Sequence, residues 1–149
     1  MPRDDLLKGR ISLSYHAYFV TTVTCNRYPY FQDFYTARLL VTEMRRLHEE
    51  DLLESIAWVI MPDHLHWLFQ LSQHRTLSQT MQLLKGRSAQ RINQYLKRNG
   101  SIWDRAFHDR AIRQDEDIKA IARYIVANPL RSGLVENVSG YPLWDAMWL

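Results

Sequence analysis

A single cysteine in 149 residues rules out an internal disulfide, so Cys25 leaves the fold to be held by its core and points to a reducing compartment. No apolar run approaches the length of a membrane span or a signal peptide, so the expectation is a soluble chain with no membrane partner. Internal repeats, low-complexity tracts and long linkers are also missing. What remains is one domain over residues 1–149 with a short tail from about 136, and the 46% of hydrophobic residues can supply one full core. Acidic charge is scarce in one region. From Met81 to Arg113 there are eight Lys and Arg against Asp104 and Asp109, a local net of +6 in a chain whose total is +3, and such a surface suits an anionic ligand.

The chain is organised around Trp58-Val59-Ile60-Met61-Pro62-Asp63-His64-Leu65-His66-Trp67-Leu68-Phe69-Gln70-Leu71. Strand side chains alternate between faces, so Leu65, Trp67, Phe69 and Leu71 fill a core while His64 and His66 share the opposite face with Leu68 and Gln70. Neutral imidazole is a common metal ligand, and two of them at alternate strand positions can reach one ion. A bare His-x-His fits two ordinary polar residues on a strand equally well, so the pair needs support from elsewhere.

The pattern predicts a strand over Ile11 to Cys25, then a loop in which Arg27, Tyr28, Tyr30 and Phe31 interleave basic and aromatic groups. That loop suits stacking on bases, or anchoring to the core. Asp33 caps a helix running to about Glu54, whose acidic end (Glu49, Glu50, Asp51, Glu54) reads as solvated. Ser55–Met61 and His64–Leu71 form a hairpin around Pro62-Asp63. A second helix spans about Leu77 to Lys97, ended by Asn99-Gly100; its Arg87, Arg91 and Arg98 lie on one face with few acidic partners, a basic stripe suited to phosphate. Ile102 to Arg113 reads as a strand carrying Arg105, His108, Arg110 and Arg113. A third helix opens at Asp115 and runs through Ala127, stopped by Pro129. Beyond Gly133 no element is predicted, though Trp144 and Trp148 should tuck the tail against the domain. This order predicts an α+β fold, a ferredoxin-like or RRM-like split βαβ antiparallel sheet with two helices on one face and an appended C-terminal helix near the other.

On that last helix Tyr124 and Asn128 are four apart and share a face. An amide oxygen at Asn128 could complete a three-ligand site with His64 and His66, with the Tyr124 phenol one turn away. MPDHLHWLFQL together with RYIVANPLRSGLV resembles the signature pair of the single-tyrosine HUH, or IS200-like, transposases. CNRYPYF, LKGR and WDRAFHDRAIR resemble the branch associated with repetitive extragenic palindromes (REP). The similarity runs from about Tyr15 to Val135.

The resemblance implies that His64 and His66 bind Mg²⁺ or Mn²⁺ with Asn128 as third ligand, and that Tyr124 is the nucleophile. It further implies single-stranded DNA folded into a palindromic hairpin, cleaved through a 5′-phosphotyrosine intermediate and rejoined by strand transfer. A bound cation would stabilise charge on the phosphodiester. Arg10, Arg27, Tyr28, Lys85, Arg87, Arg91, Arg98, Arg105, Arg110 and Arg113 are the expected DNA contacts, with Arg3 and Lys8 beside Arg10 in the N-terminal arm. The same likeness points to a bacterial cytoplasmic, nucleoid-associated protein, monomeric rather than dimeric. Two other readings fit the residues: a non-catalytic RRM-like single-stranded nucleic-acid-binding module, and a metal-dependent hydrolase using His64, His66 and His108 with Tyr124 structural.

Overall fold

The computed structural model describes residues 15–134 and 141–146. Five strands form one antiparallel sheet in the order β4-β1-β3-β2-β5, with β1 Ala17–Val23, β2 Leu53–Met61, β3 His64–Leu71, β4 His108–Ile112 and β5 Trp144–Ala146. The first four strands have the predicted split βαβ order, and β5 is added at the free edge of β2. The helices are α1 Phe34–Glu49, α2 Leu77–Leu96, α3 Asp115–Val126 and a single-turn α4 Asn128–Arg131. No described helix is long and apolar enough to cross a membrane.

Alternation along β3 sorts the core into two clusters, as predicted. Leu65, Trp67 and Phe69 pack with Val20 and Ile60 beneath α1 and α2 through Leu40, Leu47, Met81, Leu84 and Ile92. Leu68 faces the other way, joining Ala17, Val59, Met61 and Ile112 beneath Ile118, Ile121 and Ile125 of α3. Both faces of the sheet are therefore covered, and α3 sits on the face that carries the histidines.

Several element boundaries differ from the sequence reading. The first strand begins at Ala17; residues 11–14, Arg3, Lys8 and Arg10 lie outside the described residues. Asp33 does cap α1, accepting from the backbone N–H of Tyr35 and Thr36, but the helix ends at Glu49 because Asp51 takes a left-handed conformation (φ 62°) that turns the chain into β2. Glu54 consequently lies in β2 and is only 5% exposed, not part of a solvated helix end. Helix α2 opens on a Thr76/Gln79 capping box and is closed by Lys97 in a left-handed conformation, ahead of the expected Asn99-Gly100. Of the strand expected over Ile102–Arg113 only His108–Ile112 forms, while Trp103 makes an isolated bridge to Thr24.

Pro129 does not stop the last helix outright. The chain turns at Ala127 and resumes as α4, where Pro129 sits in the first turn and its missing N–H costs no intrahelical bond. The tail, for which no element was predicted, supplies β5: Ala57, Trp58 and Val59 pair with Ala146, Asp145 and Trp144. Trp148 lies outside the described residues.

Candidate functional site

Register places the site on the α3 face of the sheet. Thr21 pairs with His66 across β1 and β3, and His108 pairs with Thr21 across β4 and β1, so all three residues lie in one row on one face. The row ahead of it holds Arg110, Phe19 and Leu68. With neighbouring strands about 4.8 Å apart, His108 stands two strands, roughly 10 Å, from His66 at the backbone. His108 and Arg110 are exposed at the sheet edge, as are Arg105 and Arg113 around them.

The two imidazoles are adjacent, with ring centroids 4.7 Å apart and planes at 78°. Each is held through Nδ1. His64 Nδ1 lies 2.7 Å from Asp63 Oδ1, and His66 Nδ1 lies 2.9 Å from Thr21 Oγ1. A carboxylate can only accept, so His64 donates from Nδ1, and with Nδ1 engaged in both rings Nε2 is the ring nitrogen left for a ligand. Burial, reinforced by the neighbouring His64 and by the Arg131 guanidinium, pushes the His66 imidazole down to about 4, so it is neutral at pH 7 and able to ligate. Burial works to raise the Asp63 carboxyl, but the His64 ring and Arg27 outweigh it and hold the group below the usual carboxylate range. Arg27 Nη1 reaches Asp63 Oδ2 at 3.3 Å.

Among the described residues no three His, Cys, Asp or Glu side chains come together as a metal-holding group. The pair therefore fits a hard divalent ion only if further oxygen ligands come from an amide, from the substrate or from water. Asn128 is half-buried at the start of α4. Ala127 between the two helices keeps right-handed helical backbone (φ -80°, ψ -5°), so Asn128 follows Tyr124 by about one helical turn.

Tyr124 of α3 is 51% exposed and borders the histidine face of the sheet. Its ring meets Phe19 edge-on at 6.5 Å between centroids, and Phe19 in turn lies 5.5 Å from His66. The phenol ring and the imidazole therefore share one aromatic neighbour within a single chain. On its other side Arg131 stacks over the Tyr124 ring at 3.8 Å and donates from Nη1 to the Tyr124 carbonyl at 2.8 Å. Sequence reasoning missed Arg131, Thr21 and Phe19. The first is brought back over Tyr124 by the short α4 turn. The other two come from a strand distant in sequence, and only the pairing register shows them.

The basic stripe is largely engaged inside the fold. Arg87 pairs with Glu50 at 2.8 Å and Arg91 reaches the fully buried Glu43 at 3.6 Å, so acidic partners absent from α2 itself are supplied by α1. Lys85 donates to the backbone carbonyls of Asp104, Arg105 and Ala106, fixing the segment before β4. Arg98 donates to Asn93 at 2.6 Å and lies over the Tyr30 ring. Helix packing, which the sequence does not display, accounts for the difference. Arg27 and Tyr28 are exposed beside the Pro62-Asp63 turn, whose carbonyls accept from the N–H groups of Phe31 and Thr24.

Comparison with known proteins gives consistent results. The family described as "Transposase IS200 like" matches residues 11–128. A Haemophilus influenzae protein named as a REP-associated tyrosine transposase is 30% identical over 155 residues, spanning 94% of this chain and 81% of that protein. The Escherichia coli REP-associated tyrosine transposase is 31% identical over 88 residues, 58% of this chain and 50% of its own length. Among solved structures, a REP-associated tyrosine transposase bound to a REP hairpin shares the fold with a TM-score of 0.73 and 24% identity, covering 91% of this chain and 79% of that one. A Deinococcus radiodurans protein described as a transposase aligns with a TM-score of 0.57 and 24% identity, covering 73% of this chain and 87% of that one.

Proposed function

The chain belongs to the IS200-like transposase family, in its branch of REP-associated tyrosine transposases, and from that premise we propose that it is a metal-dependent single-stranded DNA endonuclease and strand transferase acting beside palindromic hairpins. The observation that carries this reading is that Tyr124 and His66 flank the same Phe19 ring within one chain. This proximity supports a site in which the Tyr124 helix serves the histidines of its own chain.

In this reading His64 and His66 would hold Mg²⁺ or Mn²⁺, with Asn128 as third ligand. When bound, the ion neutralises charge on the scissile phosphate. Asp63 and Thr21 fix the tautomer and aim of the two rings. The Tyr124 oxygen attacks phosphorus and gives up its proton as the O–P bond forms. The P–O3′ bond breaks, and its oxygen takes a proton to become a 3′-hydroxyl. A 5′-phosphotyrosine remains, whose phosphodiester energy lets an incoming 3′-hydroxyl rejoin the strand without a nucleotide cofactor. Labelled hairpin DNA incubated with the protein and Mn²⁺ should give an SDS-resistant protein–DNA band; its absence at every hairpin tried would defeat the reading.

The exposed arginines around β4 are the better phosphate contacts. Arg110→Ala is expected to weaken hairpin binding and to reduce the slope of log K against log salt by about 1. Arg87→Ala should leave that slope unchanged and instead lower the unfolding midpoint, since its partner is Glu50. Binding titrations across a salt series, beside urea melts, separate the two.

A further inference from the structure

We propose that the exposed aromatic surface running from Tyr28 to Tyr95 is a stacking platform for unpaired nucleotides, leading single-stranded DNA toward the histidine pair. The inference rests on the reading of DNA as substrate and extends it to a part of the molecule that the cleavage chemistry does not use.

The loop after β1 sorts its rings into two jobs. Tyr30 and Phe31 are 9% and 2% exposed and belong to the core, whereas Tyr28 is 59% exposed and outside it. Tyr28 lies against Tyr30 at 4.6 Å between centroids, and the Arg98 guanidinium sits over Tyr30 at 5.4 Å. Three residues before Arg98, Tyr95 leans against Tyr35 with centroids 4.5 Å apart and planes tilted by 40°, and both rings are about half exposed (43% and 55%). The Tyr95 hydroxyl donates to Asp33, the carboxylate that caps the helix bearing Tyr35. The end of α2 thus contributes to both ring pairs, Arg98 to the one at Tyr30 and Tyr95 to the one at Tyr35.

Two features say what such a surface takes. Solvated rings gain from covering by flat apolar faces, and every nucleobase offers one. Cationic groups stand beside the rings: Arg98 over Tyr30, and Arg27 at the end nearest the metal-ligand pair. The nearby carboxylates are occupied, Asp33 by the α1 cap and Tyr95, Asp63 by Arg27 and His64. The rings lie on the α1/α2 side of the sheet, and the contacts Arg27–Asp63 and Asp63–His64 link them to the imidazoles around the β2–β3 turn, so a strand lying on the rings would pass that end of the sheet to reach the histidines.

The test measures binding of a thymidylate dodecamer, and of a blunt hairpin without an unpaired flank, by fluorescence anisotropy. The paired substitution Tyr28→Ala/Tyr35→Ala is expected to weaken dodecamer binding by at least about 25-fold, two stacked bases at the lower end of the usual effect. Tyr28→Phe/Tyr35→Phe should bind as wild type, because the ring faces remain. Blunt-hairpin affinity and urea midpoints should hold in both variants. The proposal is overturned if wild type fails to bind the dodecamer, if the alanine pair binds it normally, if the phenylalanine pair loses as much as the alanine pair, or if the blunt hairpin is lost equally. Covalent adduct formation by wild type is scored separately. Platform-dependent binding without any adduct would strike the nuclease reading and leave this one standing.

Discussion

Tyr124→Phe is expected to abolish covalent capture of hairpin DNA while leaving the fold and the binding of uncleaved DNA intact. The substitution removes one oxygen from a ring that is half in solvent. The contacts with Phe19 and Arg131 are made by the ring and the backbone carbonyl, so they survive. Loss of stability should therefore be small. In the proposed mechanism chemistry depends wholly on the missing atom, because no phosphotyrosine can form without it; removing a covalent nucleophile costs on the order of 10⁶-fold in turnover where it has been dissected. The decisive readout is the SDS-resistant band with hairpin affinity measured alongside. A band of wild-type strength in Tyr124→Phe would remove this residue from the chemistry. A matching loss of affinity would mean that it serves binding. The hydrolase reading, in which Tyr124 is structural, expects cleavage to persist.

Much of this geometry was legible in the chain because it depends on local periodicity. The period of two along His64–Leu71 fixes which side chains oppose the core, and the structure divides Leu65, Trp67 and Phe69 from Leu68 accordingly. The order of elements then allows few sheets, and the split βαβ arrangement is the one found. What local pattern could not show is what one element meets on another. Arg87 and Arg91 look unpaired along their own helix, but Glu50 and Glu43 approach from α1. Trp144-Asp145-Ala146 is too short to signal a strand alone and becomes one only because the edge of β2 offers it a partner. Pro129 is a helix breaker by rule, yet a new helical turn can begin where its missing donor is not needed. That turn brings Arg131 back over Tyr124, which no spacing within Tyr124–Asn128 foretells.

His66→Ala is expected to produce the second large loss, and Mn²⁺ titration reads it without any need for catalysis. The argument begins from the unequal settings of the two imidazoles. His66 is kept neutral by burial and braced by the Thr21 hydroxyl, whereas His64 is braced by the Asp63 carboxylate. If both ring Nε2 atoms grip one ion, deleting either removes one of the two nitrogen ligands. Adduct formation should fall by at least about 10² to 10³-fold, the scale seen when a single preorganised stabilising group is lost. Thr21→Val keeps the ring and removes its brace, so it should weaken Mn²⁺ affinity by the more modest 10- to 100-fold typical of an outer partner of a metal-binding histidine. Ligand binding to the native state also raises its melting temperature in proportion to the logarithm of ion concentration over Kd, so Mn²⁺ should stabilise wild type and leave His66→Ala unmoved. A polar strand face without a metal role, as in an RRM-like binding module, expects no Mn²⁺ response in either protein. Unchanged affinity in His66→Ala would take this imidazole out of the site, and with it the reason for Tyr124 to lie on this face.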